Sequence, residues 1–382
     1  MAGFEYFDLK IVAPPFESPL TDLIIELDFL RKKRLYGTTP PFIFFQLKSI
    51  FHMLESLASA RIEGNNTTVA EYIETKIENK PSGDHSLKEI ENMEGCLSFI
   101  DDNISDSRID RAFVSELHKR AVKDLPPPPE GEGDATPGSY RTHDVRIKNS
   151  NHAPPDPLSV PPYMDILFQF IASEDRPKYD LLKIAIAHHR FVWIHPFSNG
   201  NGRTVRLFTY AMLIKYGFSV DKGRILNPAA VFCSQRNDYY DKLSLADTGT
   251  DENMLIWCQY VLTGLKNEIE KIDRLLEYQF LKEKILLPAI NYAVDRKFIT
   301  DVESKILRRA VEHQIIKASD LMDIVASRHK SERSRHIHRL IEKKMLMPLP
   351  QSPRKYSIHF FNNFLLRGII NSLGNEGFIP VK

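Results

Sequence analysis

The sequence predicts a mostly α-helical protein of two or three domains. Apolar residues at 3.6-residue spacing dominate, few segments alternate as strands do, and 382 residues exceed one domain at roughly 150 residues apiece. A composition 42% hydrophobic and 26% charged, with 24 Pro and 17 Gly, is that of an ordered globular chain, neither disordered nor collagen-like.

Residues 1–39 read as an N-terminal extension. The first long helix spans Phe42–Arg61, after Pro40 and Pro41, with Phe44, Leu47, Ile50, Phe51, Leu54 and Leu57 at helical spacing, and it runs into Glu63, Gly64 and Asn65. Thr68 and Glu71 form a capping-box pattern ahead of Tyr72, Ile73 and Ile77. Leu87–Val122 reads as two helices broken near Asp101–Ser107. Leu125–Arg141, rich in Pro, Gly and acid, is a loop. Asp144–Asn151 has the pattern of a short exposed hairpin, with Val145 and Ile147 alternating with polar residues, and His152–Pro162 is a connector. Helices resume over Tyr163–Ser173, Asp180–Ile194, Arg203–Tyr216, Asp238–Ala246 and Asn253–Tyr278. The last stretch orders a helix at Asp301–His313, a short one at Ser319–Val325, a third at Ser331–Lys344 and an extended Leu346–Phe360 with a Pro-containing turn. That order is the layout of a winged helix-turn-helix.

Lys plus Arg (51) nearly cancels Asp plus Glu (50), which argues against a chain devoted as a whole to nucleic acid or membrane. Three widely spaced cysteines, Cys96, Cys233 and Cys258, fit neither a disulfide framework nor a zinc site and suit a reducing compartment. The N-terminus lacks a signal-peptide pattern, and no apolar run reaches membrane-spanning length. The expectation is a cytoplasmic protein with no membrane partner.

The chemistry concentrates in His195-Pro196-Phe197-Ser198-Asn199-Gly200-Asn201-Gly202-Arg203-Thr204-Val205-Arg206. Glycines in a turn let successive N–H groups face one concavity, and the helix that follows adds the partial positive charge of its N-terminus. Arg203 and Arg206, three apart, share a helical face from which guanidiniums can reach phosphate oxygens. A histidine with an ordinary pKa near ~6.5 suits a general base.

This segment resembles the signature of Fic-domain proteins, His-Pro-Phe-x-[Asp/Glu]-Gly-Asn-Gly-Arg-x-x-Arg. Its surroundings match too: Pro137-Gly138-Ser139-Tyr140-Arg141 ahead of the hairpin, then His152-Ala153-Pro154-Pro155. The resemblance implies a Fic-type helical bundle with a short β-hairpin flap, and transfer of AMP from ATP to Ser, Thr or Tyr hydroxyls of target proteins, including its own. His195 would take the hydroxyl proton. Gly200, Asn201, Gly202, Arg203, Thr204, Val205 and Arg206 would bind the phosphates, with Arg206 on the γ-phosphate. Asn237, Tyr239 and Tyr240 lie where the nucleotide pocket continues, as base contacts or as core, and Asp247 is a further candidate for the base. The flap Asp144, Val145, Arg146 and Ile147 would hold the target by main-chain pairing. Asn199 stands where the family has an acid for Mg²⁺ or Mn²⁺, and a neutral amide is a poorer ligand for a hard cation.

Ser59-Ala60-Arg61-Ile62-Glu63-Gly64 resembles the family's inhibitory motif. By that resemblance Glu63, with Ser59 beside it, would pair with Arg206 and deny it to the γ-phosphate. Between Ser327 and Lys355, Arg328, Lys330, Arg333, Arg335, Arg339, Lys343, Lys344, Arg354 and Lys355 face only Glu332 and Glu342. This basic stretch suits DNA phosphates, dimerisation or target docking. The expected organisation is residues 1–95 as a helical region with the inhibitory helix, 96–275 as the catalytic domain, and 276–382 as linker helix and winged helix. The expected function is a self-restrained, bacterial protein adenylyltransferase with ATP and Mg²⁺, which the family suggests is a homodimer and which could also remove AMP. The alternative is a nucleotide-sensing DNA-binding regulator with little or no transfer.

Overall fold

The computed structural model describes residues 4–32, 37–78, 84–147, 150, 152–218, 231–232, 236–325 and 330–379. Its contacts separate into two units: Met1–Arg34, Phe51–Thr67 and Ser82–Ile269 form one, and Leu35–Ile50, Thr68–Pro81 and Glu270–Lys382 the other.

The first unit is helical. The chain supplies α1 (Pro19–Lys32), α2 (Pro41–Glu63, its C-terminal part), then after α3 (Val69–Glu78) come α4 (His85–Asn103), α5 (Arg111–Ala121), α6 (Val160–Ala172), α7 (Asp180–Ile194) and α8 (Asn201–Lys215). Each boundary has a local cause. Pro41 opens α2 at a position where its missing N–H costs nothing, and Gly64 closes it at φ 108°, with Gly64 N–H donating to Arg61 and Asn65 N–H to Ala60. Asp84 caps α4 by accepting from Ser86 N–H, and Asp110 caps α5 by accepting from Phe113 N–H. The capping box read at Thr68 and Glu71 forms at the start of α3, in the second unit, with both reciprocal bonds present.

Helices α7 and α8 are the core of the first unit. Both are buried around nearly their whole circumference, and α4, α5 and α6 pack on them. Trp257, from the helix Asp251–Asp273, sends its indole N–H to the Ala185 carbonyl. Residues 4–12, expected only as an extension, pack here as well. Arg190 of α7 lies over the Phe7 and Trp193 rings and donates to the Phe7 carbonyl. Cys96 and Cys258 are buried free thiols, and Cys233 lies outside the described residues. Among the described residues no helix is long and apolar enough to cross a membrane.

The hairpin expected over Asp144–Asn151 is not formed by the described residues: the ladder they show is β1 (Leu346–Leu349) with β2 (Ser352–Ile358). The carbonyls of His143 and Pro155, on either side of this segment, accept from the Arg141 guanidinium. Lys148, Asn149 and Asn151 lie outside the described residues.

In the second unit, Asp301–His313 begins with a capping box between Thr300 and Glu303. The helix expected at Ser319–Val325 is instead a 3-10 turn, Ala318–Leu321, closed by Lys317 N–H to the Asp320 carboxylate. Lys330–Glu342 follows, then antiparallel β1 and β2 in register Leu346 with Ile358. Periodicity predicts no helix at Pro19–Lys32 of the first unit or at Leu287–Asp295 and Leu365–Asn375 of this one, yet all three form, and the last two meet where Gly368 approaches the Ala289 main chain. A π-helical stretch, Leu281–Leu286, precedes Pro288, whose ring would clash with a regular turn.

Candidate active site

Helix α7 ends at His195, whose own backbone is left-handed at φ 51° and ψ 64°, and Gly200 at φ 72° turns the chain into α8. The intervening loop is closed by Asn201, whose carboxamide accepts from Phe197 N–H and donates to the Phe197 carbonyl. Asn201 thus spends its side chain on the loop and offers a ligand only its backbone. Phe197 stacks on the His118 ring at 3.8 Å, and His118 in turn meets the Asn199 carbonyl through Nε2.

His195 lines a cavity of about 250 Å³ together with Glu63, Ile147, His152, Asn201, Gly202, Arg206, Tyr239, Tyr240 and Asp247. Its Nδ1 lies 3.3 Å from the Val192 carbonyl. A carbonyl can only accept, so Nδ1 carries the proton and Nε2 keeps its lone pair. Burial pushes the imidazole down to about 4; the Val192 carbonyl and Glu63 oppose the shift, and Arg141 and His152 deepen it. His195 is therefore neutral near pH 7, the state in which it can accept a proton.

Arg206 is buried and fully engaged from α2. Its Nε donates to Ser59 Oγ at 2.7 Å, and Nη2 donates to the Ser59 carbonyl at 3.0 Å and to Glu63 Oε1 at 2.7 Å. Burial pushes the Glu63 carboxyl up, but the charge and hydrogen bond of Arg206 outweigh it and leave it below its ordinary value. Gly202 makes this approach feasible: a Cβ there would lie 2.1 Å from Glu63 Oε1.

Arg203 sits elsewhere than expected. It is fully buried, 3.1 Å from Glu89 Oε1, and it donates to the Glu132 carbonyl. Glu89 also accepts from Asn65, two residues beyond Glu63. Burial raises the Glu89 carboxyl, and the Arg203 charge offsets only part of that. Glu89→Ala should cost on the order of 3–5 kcal/mol by stranding the Arg203 charge. Thermal melts check this, and a loss under about 1 kcal/mol would show that the pair does not hold the fold.

The remaining expected residues divide. Tyr240 and Asp247 line the cavity, and Asp247 accepts from or pairs with His189 Nε2 at 3.0 Å. Tyr239 reaches the cavity wall but is 3% exposed, with its hydroxyl 3.0 Å from His188 Nε2. Asn237 is exposed and lies outside the lining. Thr204 and Val205 are buried in the core, Thr204 bonding back to the Gly200 carbonyl. Asn199 donates its amide to the Gly133 carbonyl at 3.0 Å, and its N–H to Asp134. Of the flap residues, Ile147 lines the cavity while Asp144, Val145 and Arg146 do not.

Residues 108–213 match the model of the Fic/DOC family. This stretch resembles a Fic domain. Protein adenylyltransferase Fic of Nematostella vectensis is 28% identical over 200 residues, or 50% of this chain and 42% of that protein. Its namesake from Drosophila yakuba is 30% identical over 199 residues, 50% of this chain and 36% of its own. The chain thus spans less than half the length of these curated relatives. A Fic family protein from Desulfovibrio desulfuricans shares the fold over 92% of this chain and 98% of its own, with a TM-score of 0.55 and 20% identity.

Arg141, Glu89, His118 and Asp134 support this site and were not singled out from sequence for these roles. Arg141 was visible in the Pro-Gly-Ser-Tyr-Arg run, but nothing local announces which carbonyls it reaches.

Proposed function

We propose that this chain is a protein adenylyltransferase that moves AMP from ATP to a hydroxyl side chain of a protein, its own included, and that Glu63 restrains it. The observation that supports this best is the convergence in one cavity of a neutral His195, Asn201 and Gly202 of the turn that follows it, and an Arg206 whose guanidinium is claimed by Glu63 and Ser59.

The triphosphate lies along the turn and the α8 N-terminus, where N–H groups and the helix dipole favour anions. His195 Nε2 takes the proton of the target hydroxyl. The hydroxyl oxygen bonds to the α-phosphorus, the bond from that phosphorus to the bridging oxygen breaks, and pyrophosphate leaves. Tyr240 offers the aromatic face for the base, and Ile147 an edge for the target segment. Arg203, held by Glu89, supports the turn from below; this replaces the direct phosphate role expected of it.

Among the described residues no three His, Cys, Asp or Glu side chains form a metal cage, and the Asn199 amide is turned to Gly133. The residues present do not fit a resident Mg²⁺ or Mn²⁺, so either ion enters here as a companion of the ATP phosphates. A homodimer belongs to the same reading, and the mass in solution reads it.

α-Phosphate-labelled ATP tests the reaction, with label sought on the chain and on added proteins. Absence of label in every variant while ATP still binds would leave the second reading, a nucleotide-sensing DNA binder. Asn199 at the acid position and the exposed Arg335 favour that reading. Against it, Arg339 and Lys343 both meet Glu303, Arg333 is buried, and Arg328 lies outside the described residues. The full chain is accordingly expected to leave duplex DNA unshifted at physiological salt. A shift that weakens steeply with added salt would reverse the ranking of the two readings.

A further inference from the structure

Arg141 is 3% exposed, yet its side chain meets main-chain carbonyls rather than a carboxylate in the contacts it makes here. Nε donates to the His195 carbonyl at 2.8 Å, Nη1 to His143 at 3.1 Å, and Nη2 to Pro155 at 2.5 Å and Ile194 at 3.4 Å. Its own N–H donates to the Pro196 carbonyl at 2.9 Å. Desolvating such a cation is costly, and burial lowers its pKa although the charges of Asp144 and Asp156 oppose the shift, so filling space alone is a poor account of it.

The carbonyls it gathers come from two places. Ile194, His195 and Pro196 are the end of α7 and the base itself. His143 and Pro155 flank the stretch that brings Ile147, Ser150 and His152 to the cavity. His195 also has a left-handed backbone, which is strained for a non-glycine residue and persists only where its surroundings hold it. The bond from Arg141 Nε to the His195 carbonyl is such a restraint. A second tie runs parallel: His152 Nε2 lies 2.8 Å from the Trp193 carbonyl.

We propose that Arg141 is a positioning residue for the transfer reaction, its guanidinium locking the His195 backbone and both flanks of the target-facing stretch into one cluster. This rests on the adenylyltransferase reading above. Lysine cannot replace it, because a single ammonium cannot span carbonyls on four residues as a planar fork does. The proton acceptor and the target hydroxyl are then set at a fixed mutual distance by one side chain that touches neither.

The test uses Arg141→Lys and Arg141→Gln in the full chain carrying Glu63→Gly, with folded sites counted by ATP binding. In both variants kcat per ATP-binding site should fall on the order of a hundredfold, since a displacement of about 1 Å suffices for that. ATP affinity should hold within about threefold, because the loss falls on the reacting geometry. The pH profile adds a discriminating readout. The charged groups that shift His195 are Arg141, His152 and Glu63, and Arg206, Tyr239, Tyr240, Asp241 and Asp247 share its cavity. Losing the cation in Arg141→Gln should move the acid limb of kcat to higher pH, whereas Arg141→Lys should leave it in place. Histidine-selective NMR follows the His195 ring independently of any transfer and should show its titration moving up in Arg141→Gln. A kcat within about twofold of the parent in both variants, with the His195 titration unmoved, would overturn the proposal whatever happens to thermal stability. If the parent Glu63→Gly itself transfers no label, the adenylyltransferase reading fails, and Arg141 is judged on the His195 resonance alone.

Discussion

Glu63→Gly is expected to raise AMP transfer by on the order of a hundredfold over the wild-type chain. Glu63 Oε1 holds Arg206 Nη2 at 2.7 Å and lies so near Gly202 that a Cβ there would be 2.1 Å away. A phosphate cannot occupy that volume, and the guanidinium that would receive it is satisfied by Glu63 and Ser59. On the proposed reading, ATP bound beside this pair would have its α-phosphorus out of line, and small misplacements cost large factors in rate. The substitution removes both the competing charge and the steric block. It also strips one partner from a buried guanidinium, so the apo variant should melt lower and recover when ATP is added. Labelled transfer measured beside melting with and without ATP checks both halves. Transfer no faster than wild type, with ATP binding intact, would sink the inhibitory assignment of Glu63.

In that activated background, His195→Ala should cut transfer by roughly 10²- to 10⁴-fold, the usual worth of a positioned general base. ATP binding should be nearly unchanged, because the imidazole acts on the hydroxyl and not on the phosphates. The pH dependence has a definite sign. Burial holds His195 near 4, so it stays neutral and competent as pH falls through the ordinary histidine range, and transfer fails only as pH approaches 4. An acid limb near ~6.5 would instead mean an imidazole exposed to water. Loss of activity together with loss of ATP binding would assign His195 to nucleotide binding instead.

Much of the local structure was legible. The span Asp180–Ile194 agrees with the reading end to end, as does Asp301–His313, because apolar periodicity and caps are local properties. The Thr68–Glu71 box forms for the same reason. Failures cluster where a residue's partner lies far along the chain. The residues 144–147 carry an alternating pattern that reads as a strand and form no ladder among the described residues, while the rest of the expected hairpin, Lys148, Asn149 and Asn151, lies outside them. Ala318–Leu321 is too short a turn for its apolar residues to be told from a helix by periodicity. Tyr239 and Tyr240 are adjacent letters with different fates: one hydroxyl goes to His188 in the core, while the other ring faces the cavity.

The charged residues show the division most clearly. By itself the sequence determined that His195, the Gly200–Gly202 turn and Arg206 would stand together, since twelve consecutive residues bridging two helices cannot come apart. The resemblance pointed to Arg206 as the partner of Glu63, but the physical choice between the two arginines is made by tertiary structure, across 143 residues of chain. Both Arg203 and Arg206 lie on one side of α8, and no local rule separates them. Packing does: α4 brings Glu89 against Arg203, and the end of α2 brings Ser59 and Glu63 against Arg206. A buried guanidinium must find acceptors where the surrounding helices place them, because the desolvation cost exceeds any preference encoded by its sequence neighbours.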